Sequence, residues 1–312
     1  MFVSKIVVRR NGDGPPQIIR KLKRLSAVAS EAVYDDDYVD PAAEEGYKRQ
    51  VRESDGFDVD ECPLPDGGIR PYVFDDKYDY KLDVGLYGRL GLHCYNLEKG
   101  TNLKLIGINK YNSEWTGVYV KYITLEAMDT SNNSPCVFQT CVCKYISSED
   151  ASLLVQTELS RLRVPIGPRA SPIGLERGFE ESEVDEFYKG KMPSWLTQKD
   201  MAQFYELKES EVQEYEWLHL YAEFGFALKW ITYGKALKSY LPLQINKVTI
   251  RTKENGQESP LKAKNAIFYI SFKGNGDPSG MLVEYQAVVR RTMDGMPGHI
   301  RLEVDCLSYE SN

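Results

Sequence analysis

Histidine is scarce in this sequence: three residues in a chain of 312. No Ser/His/Asp or Cys/His order emerges and no paired carboxylates share a predicted face, so no nucleophilic or acid–base site declares itself. Long apolar runs are missing too. None approaches the roughly 18–20 residues that a membrane helix needs. The N-terminus also lacks an apolar core with a small-residue cleavage site, which sets the expectation of a cytoplasmic or nuclear protein with no membrane contact. Clustered basic charge is limited to Arg20, Lys21, Lys23 and Arg24, a solvated arm by default and a nuclear import signal as the rarer reading. With 39 basic against 46 acidic residues the formal net charge is −7, which argues against nucleic acid as the main partner. The six cysteines lack CxxC spacing, and no histidine pair stands near Cys136, Cys141 and Cys143 to complete a tetrahedral set. Free core thiols, no metal and no cofactor are therefore expected. The glycine-rich KGNGDPSG at 273–280 falls between strands and not ahead of a helix, where it could cradle phosphate.

What is present is β-sheet. Between residues 118 and 162 three runs, VYVKYITLEAMD, CVFQTCVCKYI and LLVQTELSRL, alternate apolar and polar side chains with a period of two. The alternation puts Ile123, Leu125 and Ala127 on one face and Thr124 and Glu126 on the other, as expected of an antiparallel strand with one wet side. LKLIGIN at 103–109 adds an earlier strand, joined to the next by a hairpin ending in Gly117. Ahead of these strands Leu82, Leu86, Leu90, Cys94 and Leu97 recur at helical spacing. Gly85, Gly88 and Gly91 in the same stretch predict a close approach of helix to sheet. His93 has no partner in reach by sequence and is expected at the boundary of the apolar stripe.

The same order then returns. Trp217, Leu220 or Tyr221, Phe224, Leu228 and Ile231 recur at helical spacing and mark a second helix through 209–230, capped by Ser210 and kinked or closely packed at Gly225, with His219 among its aromatics. Strands follow at 241–252, 265–274, 282–292 and 299–307. Matching Ile123 with Ile270, Leu125 with Phe272, Phe138 with Tyr285 and Val142 with Val289 gives the pattern of an internal duplication. The predicted class is α+β, with two units, each a helix packed on a four-stranded antiparallel sheet, and a partly flexible N-terminal extension. Residues 1–45 are expected to form a basic then acidic, partly disordered tether, and 46–164 the first unit with a docking segment around YKRQVRESDGFDVD at 47–60. A connector broken by Pro165, Pro168 and Pro172 fills 165–208, and the second unit takes 209–312.

Residues 80–162 resemble the plant cystatins. LGLHCYN at 90–96 is similar to that family's helix motif of the LARFAV type, and YITLEA at 122–127 is similar to its second-strand motif YLTLEA. The resemblance implies the cystatin/monellin arrangement, an antiparallel sheet wrapped on one helix. It also raises inhibition of cysteine proteases, for which that family uses an N-terminal Gly, a Q-x-V-x-G hairpin and a Pro-Trp hairpin as a wedge. Here the first hairpin reads Ser113, Glu114, Trp115, Thr116, Gly117, so the closing glycine alone is kept. The second, Ser147 to Ala151, has no Trp, and the second unit's loops RTKENGQESP and MDGMPGH lack the wedge as well.

Nearly everything after residue 45 is also similar to a largely uncharacterised crucifer paralogue family that includes embryo-defective and male-sterile members. YKRQVRESDGFDVD (47–60), FYELKESEVQEYEWLHLYAE (204–223), LKAKNAIFYISFKG (261–274) and AVVRRTMDG (287–295) carry this resemblance, and the acidic stretch at 31–45 does not fit it. It implies no enzymatic activity, cofactor or catalytic residue, and a role in reproduction or embryo development through binding. The expectation is a non-catalytic protein with an unidentified protein partner. That partner would be received on the outward strand face, Val120, Tyr122, Thr124 and Glu126, and on the hairpin residues Trp115 and Gly117. One alternative is a degenerate cystatin-type inhibitor anchored by Trp115. Another is a small-ligand binder in which Lys121, Glu126 and His93 approach the concave side of the sheet.

Overall fold

The computed structural model describes residues 39–72, 81–146, 152–165, 178–196, 204–229, 240–253, 259–274 and 283–310, all within one compact unit, Val39–Asn312. The basic cluster at 20–24, the hairpin at 147–151, Pro168 and Pro172, and most of the glycine-rich 273–280 stretch lie outside the described residues. Residues 41–45 of the expected tether are helical.

In chain order the elements are α1 (Pro41–Ser54), β1 (Arg70–Tyr72), α2 (Lys81–Lys99), β2 (Leu103–Trp115), β3 (Tyr119–Asp129), β4 (Ser134–Ile146) and β5 (Leu153–Leu162). Then come β6 (Tyr205–Glu206), α3 (Glu209–Glu214), α4 (Trp217–Lys229), β7 (Gln244–Arg251), β8 (Ala266–Lys273), β9 (Val283–Thr292) and β10 (Ile300–Glu310). All the strands join one antiparallel sheet in the order β1-β2-β3-β4-β5-β10-β9-β8-β7-β6. Among the described residues each half therefore has five strands where four were expected. The additional strands, β1 and β6, are short edge pieces that precede each helix, and runs of two or three residues carry no readable alternation.

The halves meet at the pairing of β5 with β10, from Leu153↔Val304 to Thr157↔Ile300. The Thr157 hydroxyl donates to the Gly298 carbonyl at 2.7 Å and accepts from the Ile300 amide at 3.0 Å. Gly298 sits at φ +81°, and a side chain there would place Cβ 2.6 Å from the Ser160 nitrogen. Glycine is thus required where the chain turns into the joining strand.

The second half repeats the first in register. Leu125 pairs with Phe138 as Phe272 pairs with Tyr285. Ile108-Asn109-Lys110 carries a register shift opposite Leu125 and Thr124, and Ile245-Asn246-Lys247 carries one opposite Phe272 and Ser271. The same tripeptide thus makes the same bulge in both halves. Each helix also touches its sheet through a glycine. Gly91 lies against Thr140, and a Cβ on Gly225 would stand 2.7 Å from that of Ala287. Gly85, by contrast, has open space around it.

One sheet face carries α2 and α4 over a core continuous across both halves, with Leu90, Ile123, Leu125 and Phe138 from the first and Phe224, Phe268, Ile270 and Leu302 from the second. The other face is not the wet side that the alternation implied. Tyr47, Phe57, Val59 and Ile69, from α1 and the stretch after it, cover Val120, Tyr122, Cys141, Cys143 and Leu159. Val184, Tyr188 and Met192, from the stretch read as a connector, cover Ile267, Tyr269 and Val288. Two straps, the first formed by α1 with the stretch after it and the second by residues 178–196, thus line the back of the sheet.

The second helix differs from its expected form. It is broken at Tyr215 and Glu216, and Ser210 lies inside α3 instead of capping a single long helix. Tyr215 and Trp217 both pack against the core. Residues two apart on one straight helix point in different directions, so the break is what admits both rings.

A methyl group at either close-packed glycine has no room. Gly91→Ala and Gly225→Ala are each expected to destabilise by about 1–3 kcal/mol, read from urea unfolding, whereas Gly85→Ala should be neutral or stabilising by up to about 1 kcal/mol.

Candidate interaction site

The N-terminal strap changes what the outward face of β3 can do. Asp40 accepts from the Ala42 amide at 3.1 Å and Pro41 starts the helix, a favourable beginning for α1. Its end turns sharply at Asp55 (φ 52°) and Gly56 (φ 78°). The turn lets Asn112 Nδ2 donate to the Gly56 carbonyl at 2.6 Å, and Tyr47 Oη accepts from the Ile69 amide at 2.6 Å. Arg161 holds the buried Asp55 carboxylate at 2.7 Å, and Lys110 pairs with Asp58. Under this cover Val120 is 7%, Tyr122 8% and Thr124 3% exposed. These three of the six expected partner-binding residues are therefore enclosed by the chain's own residues, and the expectation of an open face is corrected. Glu126 alone on that face is exposed, accepting from Asn109 at 3.4 Å.

The hairpin residues are open. Trp115 is 50% and Tyr119 56% exposed, and their rings pair at 4.3 Å between centroids. Gly117 closes the turn at φ 97° with open space around it. Tyr72 on β1 stacks on Tyr111 at 5.2 Å. Lys121 lies on the same face, paired with Ser113 and Val142, with its ammonium 4.8 Å from the Tyr111 ring centroid. Burial lowers its proton affinity, Lys144 lowers it further, and Asp83 in the first turn of α2 opposes both. Two strand positions on from Lys144, Ile146 is also exposed.

A charged cluster missed in the sequence lies between the helices. Arg291 of β9 is fully buried. It donates to Tyr221 Oη at 3.2 Å, to the Leu261 carbonyl at 3.2 Å and to the Ala263 carbonyl, and lies over the rings of Trp217 (5.2 Å) and Phe268 (4.9 Å). Burial pushes the Tyr221 hydroxyl up to about 12, so it stays protonated and donates to His93 Nε2 at 2.9 Å. Burial first, and the Arg291 charge second, hold His93 well below the usual imidazole range, so its ring is neutral. His93 is thus enclosed, stacked on Trp217 at 4.7 Å, and not at a boundary. Period two was the available signal, since Val289 faces the core and Arg291 follows it on the same side. Outside this centre, Arg89 and Glu223 form a bidentate pair at 2.6 and 3.0 Å between α2 and α4.

Lys121, Glu126 and His93 do not converge. Lys121 faces the helix side at the hairpin, Glu126 the opposite side, and His93 the helix interface. A polar cleft of about 200 Å³ does open on the back face beside the second strap, among Tyr188, Lys189, Arg290, Arg301 and Glu303. Arg290 is fully engaged there, with Glu303 and the carbonyls of Lys189, Gly190 and Lys191, so it fastens the strap. Among the described residues His299 Nδ1 meets Asp294 Oδ2 at 2.8 Å, buried and without a nucleophile. His219 is half-buried on α4.

All six cysteines are free. Burial raises Cys141 and pushes Cys94 and Cys306 up to about 12, so these thiols stay protonated. Among the described residues no group of three His, Cys, Asp or Glu side chains could hold a metal ion, and no helix is long and apolar enough to cross a membrane.

Comparison with known proteins places this architecture. The chain is 49% identical over 283 residues to the UPF0725 protein At4g28920 of Arabidopsis thaliana, covering 86% of this chain and 90% of the relative. The chain belongs to the UPF0725 family. A second member, At4g29550 from the same plant, is 41% identical over 280 residues, covering 87% of this chain and 76% of its own length. A family model described as protein MS5 matches residues 192–302. The crystal structure of MS5 from Brassica napus superposes with a TM-score of 0.55 at 26% identity, covering 73% of this chain and 99% of that one. This is an uncharacterised plant family with MS5 members, and UPF0725 names no reaction.

The neutral His93 has a consequence for stability. In the unfolded chain it takes up a proton near the ordinary imidazole value of 6.5, and in the folded protein it does not. Stability is therefore full above that value and falls as pH drops below it, by up to about 1.4 kcal/mol per pH unit. Urea titrations between pH 7.5 and 5.5 should show this fall, and His93→Gln, which keeps an acceptor for Tyr221, should lose it.

Proposed function

We propose that this UPF0725 protein is a non-catalytic interaction protein built from two cystatin-like units, with the hairpin end of the first as its docking surface. The observation that carries the reading is the exposed Trp115–Tyr119 pair. Both sheet faces are covered by the chain's own helices and straps, yet two large rings are presented to solvent at one end. Exposed aromatics of this kind are typical anchors of protein recognition. The cystatin-like reading is supported by the order strand, helix, four strands in each half, by the paired glycine contacts and by the repeated bulge. A role in plant reproduction or embryo development follows from the family resemblance.

Protease inhibition ranks second. Ser113, Glu114 and Trp115 lie within β2, and a three-residue turn, closed by Thr116 donating to the Val118 carbonyl at 3.2 Å, is all that protrudes. That end is blunt where a wedge must be narrow.

Affinity capture from crucifer reproductive tissue tests the reading, with the wild-type chain and the Trp115→Ala/Tyr119→Ala variant as paired baits. A reproducible partner lost by the variant, at unchanged urea stability, is the expected result. Identical partners on both baits would move docking elsewhere. Titration of papain should give no sub-micromolar inhibition, and inhibition that disappears in Trp115→Ala would reverse the ranking.

A further inference from the structure

We propose that the hairpin end binds an acidic peptide segment, its carboxylates received by Lys121 and Lys144 and its neighbouring side chains covered by Trp115 and Tyr119. This rests on the reading of the hairpin as the docking surface and names its partner's chemistry.

Two lysines at this end stand without a counterion among the described residues. Lys121 pairs with Val142 and Lys144 with Tyr119, so both lysines stand on the same face of adjacent strands, diagonal to each other. Each feels the other, since Lys144 disfavours the charged form of Lys121. Neither lysine has an ion pair among the described residues. Lys121 instead rests its ammonium against the Tyr111 ring at 4.8 Å, and Asp83 acts on it from beyond ion-pair distance. Holding two like charges together while drawing one out of water costs free energy. An arriving anion removes that cost, and the partly desolvated setting strengthens the attraction.

The rings select the kind of anion. Trp115 and Tyr119 border the lysines with a pair of exposed rings tilted at 52° to each other, and Ile146 extends this apolar surface two positions beyond Lys144. A ligand that is only charge would leave this surface wet. In an extended peptide, acidic residues at alternate positions stand about 6–7 Å apart, close to the diagonal separation of about 7–8 Å between side chains on neighbouring strands. The residues between and beside them meet the rings. A nucleic acid fits less well, because a long polyanion is repelled by the net charge of −7.

The test is fluorescence anisotropy of the full chain with a fluorescein-labelled peptide of alternating Glu and Tyr, about ten residues long. A Lys/Tyr peptide of the same length and a thymidine oligonucleotide serve as comparison probes, all at low ionic strength. The proposal expects saturable binding of the Glu/Tyr peptide alone. Lys121→Met and Lys144→Met should each weaken it by roughly fivefold or more, Lys121→Arg should retain it, and the exposed Lys99→Met should leave it unchanged. Urea midpoints establish that each variant is folded. Absence of binding, binding that the lysine variants do not alter, or tighter binding of the oligonucleotide would overturn it. If the peptide is ignored while the Trp115→Ala/Tyr119→Ala bait still loses its partner, the anionic partner is wrong and the docking surface stands. If the peptide binds as described but both baits capture alike, the docking surface is the part that fails.

Discussion

Five antiparallel residue pairs, Leu153–Thr157 of β5 against Ile300–Val304 of β10, decide the form of the molecule. Without them each half would be a small sheet with a long open edge at its last strand, a template for unwanted pairing. With them the two edges cancel, and the strand order runs outward from the seam to the short edge strands β1 and β6. The seam also sets α2 beside α4. That adjacency lets Arg89 meet Glu223 and encloses Arg291, Tyr221, His93 and Trp217 between the halves. A buried guanidinium with no carboxylate partner among the described residues is tolerable there because carbonyls, a hydroxyl and two ring faces share its charge.

Covering both faces of the sheet has a functional price. The helices take one face and the straps take the other, so Val120 and Tyr122, which alternation would send into solvent, pack against Tyr47, Phe57 and Ile69. On the proposed reading, recognition falls to the hairpin end, where Trp115 and Tyr119 are exposed. At the β2–β3 hairpin Trp115, Tyr119 and Lys121 come together on adjoining strands, with both rings exposed. The same geometry that closes the core thus defines the part left open, which is a consequence of strand length and not of a dedicated loop.

Much of the fold is legible in the sequence because its signals are periodic. Alternation marks β3, β4, β9 and β10, helical spacing marks α2, and the matches of Ile123 with Ile270 and Phe138 with Tyr285 fall at equivalent sheet positions. The straps are not legible for the opposite reason. Tyr47, Phe57, Val59, Val184 and Tyr188 follow no period, so nothing local shows that they cover a sheet. The break in the second helix depends on where Trp217 must reach, a tertiary demand. At the hairpin, Trp115 and Gly117 are readable as an exposed turn, whereas the lack of an ion pair to Lys121 among the described residues depends on neighbours that the sequence does not place.

The sheet is covered by the chain's own residues and leaves its hairpin end free, and hydrogen exchange of the native protein tests this most directly. The amides of 153–157 and 300–304, together with that of Ile69, which donates to Tyr47 under the first strap, are predicted to exchange only through global unfolding. Exchange of Ile69 and the strap amides orders of magnitude faster than the seam would contradict it. The strap would then open on its own, and Val120 and Tyr122 would return as an available surface.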